Sequence, residues 1–417
     1  MAAREIEILQ PAFFDSFRCI GPACRDNCCH TWEIDIDKEH YLRYKGEKDP
    51  AFRELCARLV RRRKDGAPDR YATLALGEDG RCGFQDPDGG CRIIRLLGEG
   101  ALCRTCTLYP RRKAQFTPGV WELSLSLSCG EAARLALFSQ DRLEFTRLRR
   151  TVRPEDPLDA MPPLGIGKGG APMTPPPWAP ALRRACMELI RRRDYALRER
   201  ILAAGLLLRR ADRLLAAGEE ARLPGLCAGF LASVEAGEFR GFFDRLDYSR
   251  EAHLAAMRLP MAHLLAGGRK PVLRHLREAL APWCREDPAT GELLAGEEAL
   301  AFLLREAREK GDPLLEALAA PAENYFVSYL FSGLFPFLYH GEGLTFEQNG
   351  ILLAEQYALL RVLLALAPGE LPPEERMVRA VVSLARLCQH SDLGRDLVLL
   401  TRAVKLDGLA HAAYLLR

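Results

Sequence analysis

Nine cysteines carry the strongest chemical signal in the chain. They fall into three short-spaced groups: Cys19, Cys24, Cys28 and Cys29; Cys82 and Cys91; and Cys103, Cys106 and, farther on, Cys129. Thiolate sulfur is a soft ligand that suits zinc and iron–sulfur iron. A short spacing holds two donors on one turn, and distant groups close the site. The other five, Cys56, Cys186, Cys227, Cys284 and Cys388, are scattered. Clustered cysteines in a reducing compartment point to metal binding or redox chemistry before disulfides. Buried structural thiols are the alternative, but crowding of this kind within one third of the chain argues for ligands. Zinc is tetrahedral, so two zinc ions would take all but one of the nine. An iron–sulfur cluster is also held by cysteine thiolates. The ligands are therefore expected to be a subset of the nine. Cys28 and Cys29 are adjacent, and an extended backbone would point them to opposite faces, one to bind and one to pack. His30 beside them is a candidate ligand, although a surface role explains it more simply. Arg18, Arg25, Arg81, Arg92, Arg95, Arg104, Arg111 and Arg112 crowd the same region; most are read as a solvated basic face that also offsets thiolate charge.

The elements that must position these residues are mixed in the first part of the chain. Trp32, Ile34 and Ile36 alternate with Glu33, Asp35 and Asp37, which is strand period, and Asp37 is placed to cap a helix from Lys38. Residues 120–129 alternate more clearly, with Trp121, Leu123, Leu125, Leu127 and Cys129 on one face and Glu122, Ser124, Ser126 and Ser128 on the other. Residues 153–180 are rich in proline and contain the run Gly165-Ile166-Gly167-Lys168-Gly169-Gly170. This reads as a linker or long loop; the run lacks the spacing and the leading strand of a phosphate-binding loop. Beyond it the pattern is helical almost throughout, with helices over 198–213, 349–367 and 374–389. The expected architecture is mainly α: a small mixed α+β cysteine-rich domain over 1–155, a linker over 156–180 and an all-helical domain over 181–417.

Composition excludes some classes. A net charge of +3 over 417 residues offers no broad basic face for nucleic acid. The start lacks the order of a signal peptide. The longest uncharged apolar stretch, residues 325–339, is too short for a membrane helix and is interrupted by Pro336. A cytoplasmic protein without membrane or nucleic-acid partners is expected.

Several stretches resemble one family, the flagellin lysine N-methylases. They are Gln10-Pro11-Ala12-Phe13, Phe17-Arg18-Cys19-Ile20-Gly21, the Cys24, Cys28-Cys29 group with Trp32, Cys82-Gly83-Phe84, Cys91-Arg92-Ile93 and Cys103-Arg104-Thr105-Cys106-Thr107-Leu108-Tyr109-Pro110-Arg111. In the helical half, Glu323-Asn324-Tyr325-Phe326 and Leu334-Phe335-Pro336-Phe337 are also similar. The cysteine pattern alone is shared with a broader group of zinc- or iron-chelating domains. The resemblance implies methylation of lysine ε-amines of flagellin, S-adenosylmethionine as donor and a [4Fe-4S] cluster.

Neither common methyltransferase signature is present. No glycine-rich loop follows a strand, and Cys24-x3-Cys28 is followed at once by Cys29, unlike the radical S-adenosylmethionine triplet. A lysine amine, with a reference pKa of about 10.4, attacks a sulfonium methyl directly once deprotonated and aligned. Polar methyl transfer is the expected reaction, with the metal centre anchoring the donor or organising the pocket. Tyr109, beside the third cysteine group, is a candidate contact for amine or donor, although a packed aromatic explains it more simply. Glu323, Asn324 and Tyr325 are candidates for a peptide or donor contact, although helix capping explains them more simply. Two other readings compete. One is a non-enzymatic zinc-binding module joined to a helical protein-interaction domain; the other is an iron–sulfur oxidoreductase, for which no flavin or nicotinamide signature is present.

Overall fold

A computed structural model describes residues 3–24, 27–30, 33–153, 156–161, 163–164, 175–245, 247–267, 274–288, 293–334, 345–389 and 408–417. Arg25, Trp32, the Gly165 to Gly170 run and Phe335-Pro336-Phe337 lie outside these residues, as does the side chain of Cys388. In chain order, β1 (Arg4–Pro11) precedes a small subdomain of β2 (Asp35–Ile36), α1 (Lys38–Gly46), α2 (Pro50–Leu59), β3 (Val60–Arg62), β4 (Ala72–Leu74), α3 (Arg92–Leu97) and α4 (Arg104–Leu108). Then come β5 (Arg111–Ala114), β6 (Val120–Leu125), α5 (Gly130–Phe138), β7 (Phe145–Val152), α6 (Pro157–Ala160) and β8 (Pro163–Leu164). The helical half runs α7 (Ala179–Ile190), α8 (Leu197–Ala216), α9 (Leu223–Glu235), α10 (Arg250–Gly267), α11 (Arg274–Leu280), a short hairpin, α12 (Glu297–Glu306), α13 (Asp312–Ala317), α14 (Ala319–Ser328), α15 (Phe346–Leu366), α16 (Pro373–Gln389) and α17 (Leu409–Leu415). The protein is thus mainly helical, with a small mixed α+β part at its N-terminal side.

Two cores divide the molecule, and they do not follow the sequence boundary. Residues 34–106 bury a compact core of their own around Ile34, Ile36, Tyr44, Phe52 and Phe84. The larger sheet, ordered β7-β1-β6-β5-β8, belongs instead to the core of the helical half, which runs from Ile8 to Leu416. Strand β8 pairs in parallel with β5, so part of the proline-rich stretch read as linker closes the sheet edge.

Strand β6 shows why the two halves fuse. Between β1 and β5 it is buried on both faces. The apolar face enters the core as expected, but the polar face is buried too, and α7 reaches it through Arg183. Arg183 of α7 donates to both carboxylate oxygens of Glu122, at 2.6 and 2.7 Å. Its guanidinium also lies 4.2 Å from the Phe116 ring centroid and 4.9 Å from that of Phe331. A two-pronged pair between planar groups satisfies both charges away from water.

A second buried carboxylate knits α14 to its neighbours. Glu323 accepts from Arg200 at 2.9 Å and from Arg193 at 2.9 and 3.0 Å. Asn324 accepts from the Leu143 amide at 2.8 Å and donates to the carbonyls of Leu137 and Gln140. These residues lie inside α14 and are buried, which corrects the capping reading; their partners come from distant segments.

Helix α15 is the centre of the helical half. By length and composition it would pass for a membrane span, but 89% of that stretch is buried inside the fold. Asp212 of α8 caps its start by accepting from the amides of Phe346 and Glu347, at 3.0 and 2.6 Å. One turn on, a Cβ on Gly350 would stand 2.9 Å from the Gly205 Cα of α8, whereas a Cβ on Gly205 would make only ordinary contact, so the close approach of the two helices requires glycine at 350.

The Glu122–Arg183 pair generates a stability prediction. Glu122→Leu or Arg183→Leu alone should destabilise the protein by about 3–5 kcal/mol, because each strands a buried charge, while the double substitution should recover most of the loss. Urea unfolding midpoints of the three variants are the measurement; equal losses in single and double variants would reject the coupling.

Candidate functional site

The cysteines occupy the seam between the two cores. Cys82 and Cys103 are buried in the small core, and Cys29, Cys91 and Cys106 pack against it. Cys129 belongs to the large core, with Tyr109 packed against that core. Backbone pairing draws the groups together: the Cys82 amide donates to the Cys29 carbonyl at 2.9 Å, and Gln85 bridges to Cys91. Three of the nine precede helices, Cys91 before α3, Cys103 before α4 and Cys129 before α5. A thiolate is favoured at such a position by the unpaired amides of the first turn.

The thiols influence one another across all three sequence groups. Hydrogen bonding to Cys106 pulls the Cys103 thiol below its ordinary value, while the bond to Cys103 and burial hold Cys106 well above it. Cys103 is therefore the member of that pair that ionises first. Burial pushes Cys82 and Cys129 up to about 11 and also raises Cys91. Cys28 is raised by its hydrogen bond to Cys29 and by burial; these two thiols reach each other and do not diverge as an extended segment would require. Cys28 and Cys19 act electrostatically on Cys129, and Cys29 acts on Cys106. Among the described residues, no three His, Cys, Asp or Glu side chains are already closed into one metal-binding group. The donor set nevertheless fits a thiophilic ion or cluster in its chemistry: several soft, desolvated thiols stand as neighbours with no disulfide among them.

Asp37 supports this arrangement. Its carboxylate accepts from the His40 amide at 3.1 Å, capping α1, and from the Arg104 amide at 3.0 Å, capping α4. Burial opposes its charge, but the hydrogen bonds from His40 and Arg104 hold it well below the usual carboxylate range. Asp35 adds a second tie, since its carbonyl accepts from Thr105 Oγ1 at 2.7 Å and faces Cys103 Sγ at 3.6 Å. The α1 cap is legible in the sequence; the link from Asp37 to α4, 67 residues away, is not.

On the large-core side, Tyr109 meets a chain of hydroxyls. Its Oη lies 3.0 Å from Ser128 Oγ, which is 2.8 Å from Ser126 Oγ. Arg386 of α16 donates through Nε to the Ser128 carbonyl at 3.1 Å, bringing the helical half to within electrostatic reach of Cys28. Burial raises Tyr109 far above an ordinary phenol and lowers the neighbouring Arg112 to about 10. Tyr109 thus keeps its proton and can position a polar group, but it is no base. Ser126, Ser128, the half-buried setting of Arg112, and Arg386 escaped the sequence reading, because only the fold places α16 against this corner. His30 is pushed down by burial and forms a bridge with Arg81. Arg92 and Arg95 pair with Asp86, so part of the basic face is tied to acid.

A family model described as the FliB lysine N-methylase C-terminal domain matches residues 183–415. A lysine-N-methylase of Salmonella choleraesuis (strain SC-B67) is 34% identical over 145 residues, 34% of this chain and 35% of that protein. A lysine-N-methylase of Salmonella typhimurium (strain LT2) is 33% identical over 145 residues, with the same coverage. The flagellar biosynthetic protein FliU of Salmonella muenchen is 32% identical over 142 residues, 34% of this chain and 82% of that protein. The match therefore spans about a third of the two lysine-N-methylases. No solved structure matches the chain.

Asp37 yields a pH-dependent prediction. Its folded-state pKa lies below the unfolded value, so its stabilisation is complete above the ordinary carboxylate range, near pH 4, and is lost as pH falls toward the folded value. Asp37→Ala should cost on the order of 1 kcal/mol or more at pH 7, since two helix starts lose their cap. The gap to wild type should shrink on acidification. A gap that stays constant from pH 7 to about pH 2, measured by chemical unfolding, would remove the carboxylate from this role.

Proposed function

The chain belongs to the FliB lysine N-methylase family, and from that premise we propose that it transfers methyl groups from S-adenosylmethionine to lysine ε-amines of flagellin in the cytoplasm. The observation that carries the reading is the match to the lysine N-methylase domain across residues 183–415, a stretch that includes Arg386, which contacts the cysteine-rich side of the molecule.

The reaction asks three things of the protein: a place for the donor, a place for the amine, and exclusion of water. Alignment of amine and sulfonium methyl supplies much of the acceleration. Tyr109 and Ser128, with a hydroxyl chain behind them, offer neutral hydrogen-bonding groups that hold a polar ligand without competing as nucleophiles. Arg386 and Arg112 give this corner positive charge suited to a carboxylate. A subset of Cys19, Cys24, Cys28, Cys29, Cys82, Cys91, Cys103, Cys106 and Cys129 would hold a [4Fe-4S] cluster, or zinc in its place. When bound, such a centre supplies a Lewis-acidic anchor beside that corner. Cys103 is the thiol readiest to ligate, because Cys106 already stabilises its ionised form.

Purification under anaerobic conditions, with iron, sulfide and zinc analysis, tests the centre; incubation with S-adenosylmethionine and flagellin tests the activity. Visible absorbance with iron and sulfide, and flagellin mass increments of one methylene each, are expected. Cys103→Ser or Cys106→Ser should remove both the metal and methylation, whereas Cys186→Ala, Cys227→Ala and Cys284→Ala should leave metal content unchanged. Full methylation by metal-free protein would reject the centre's role. A colourless zinc protein without transferase activity would favour the zinc-binding interaction module.

A further inference from the structure

Helix α15 contains one buried carboxyl left without a hydrogen-bond partner among the described residues. Glu355 is 1% exposed, and neither of its carboxylate oxygens has a hydrogen-bond partner among the described residues. Its buried polar neighbours on the helix are paired. Gln356 accepts from the Tyr325 hydroxyl, Arg361 donates to Asp312, Asn349 donates to the Thr345 carbonyl, and Gln348 completes the capping box. Desolvation, with no charged neighbour to offset it, holds the Glu355 carboxyl up to about 8. A buried carboxyl without a partner is strongly unfavourable. An apolar residue of similar size would serve this helix better, unless a partner arrives from outside.

The helix packing locates Glu355 relative to the site. Helices α15 and α16 are joined by a short connection over 367–372 and pack as an antiparallel pair. Arg376 Nη2 donates to the Leu364 carbonyl at 2.8 Å and sets their register. At about 1.5 Å rise per residue, Arg386 lies about 15 Å along α16 from that point, and Glu355 lies about 14 Å back along α15 in the same direction. Glu355 is therefore level with Arg386, whose Nε reaches the Ser128 carbonyl beside Tyr109. The two helix axes are separated by the ordinary packing distance of about 8–10 Å. The small cavity between α8, α15 and α17 includes Ile351 and Ala354 in its lining but not Glu355, so it does not satisfy the carboxyl.

We propose that Glu355 is the acceptor for the cationic group of the substrate: it receives a primary alkylammonium, the lysine ε-ammonium, and takes its proton. This rests on the methyl-transfer reading above. In the step, one N–H bond of the ammonium breaks and its proton passes to a Glu355 oxygen. The freed lone pair then forms the N–C bond to the sulfonium methyl as the S–C bond breaks and its electron pair stays on sulfur. The product is a methylammonium and a neutral thioether, so charge and atoms balance. Tyr109 cannot take the proton, because burial keeps its own in place. A carboxyl held without an internal partner is free to pair with an incoming cation, which explains why the fold tolerates it.

The test uses the full metal-loaded chain as wild type, Glu355→Gln and Glu355→Asp. Glu355→Gln should melt at or above the wild-type temperature, since it removes a buried ionisable group. Its methylation rate on flagellin at neutral pH should fall by about 10²- to 10⁴-fold, the usual contribution of a positioned base, and recover as pH rises toward the amine's own pKa. Glu355→Asp should retain part of the rate. A second readout is independent of turnover: n-butylammonium should raise the melting temperature of wild type but not of Glu355→Gln. A Glu355-dependent n-butylammonium response in a protein that methylates nothing would uphold the ammonium site and reject the methyl-transfer reading. A wild-type rate in Glu355→Gln, or a lost rate with neither pH recovery nor a changed n-butylammonium response, would overturn the proposal.

Discussion

Where β6 meets α7, a buried ion pair between Glu122 and Arg183 determines how the rest of the molecule is assembled. The central strand of the sheet carries a carboxylate on a face that would otherwise require solvent. Because α7 answers it with a guanidinium flanked by Phe116 and Phe331, that face can be buried, and sheet and helices share one core. The pair is specific because both charges are fully satisfied: a neighbouring residue could not substitute for either without stranding the other. Glu323, with Arg193 and Arg200, repeats the device on α14. Both carboxylates draw on arginines of α7, α8 or the turn between them, so this helical pair is the frame on which the sheet and α14 are hung.

The cysteine-rich subdomain depends on that frame without being part of it. Its own core is small, and its strands are only two or three residues long. A domain of this size buries little apolar surface and commonly relies on metal or disulfide cross-links for stability. The sulfurs are gathered at the boundary with the large core, where Cys129, Tyr109 and Arg386 complete the surroundings from the other side. A site in such a seam links two bodies of structure, so occupation by a metal would tie them together as well as shape the pocket.

The Tyr109 corner and the helical core also differ in how they handle polarity. Around Tyr109 the polar atoms form a continuous run of hydroxyls, carbonyls and guanidinium. On α15, by contrast, each buried polar side chain is matched individually, with Glu355 the exception. Fold stability alone gives no reason to keep a carboxyl there, and stability given up at a single buried position is a common mark of function.

Much was legible from residue order alone. The uneven grouping of the fourteen cysteines pointed to thiols that the fold brings within electrostatic reach of one another; strand alternation and the Asp37 cap were local consequences of backbone geometry; the helical half followed from the 3.6-residue period, since those preferences act over a few residues. The sequence also carried the family resemblance, which the match over residues 183–415 established. Other features depended on contacts between residues far apart in the chain. Alternation could show that Glu122 and Ser124 share a face, but not that this face would be buried with Arg183 of α7 against Glu122. Glu323 and Asn324 looked like caps because their partners lie over a hundred residues away. Cys28 and Cys29 were expected to diverge, but local backbone and packing bring their thiols together. The link from Asp37 to α4, the approach of Arg386 to Ser128 and the isolation of Glu355 were decided by tertiary structure, because burial and pairing are properties of the surroundings a side chain ends up in and not of its neighbours in sequence.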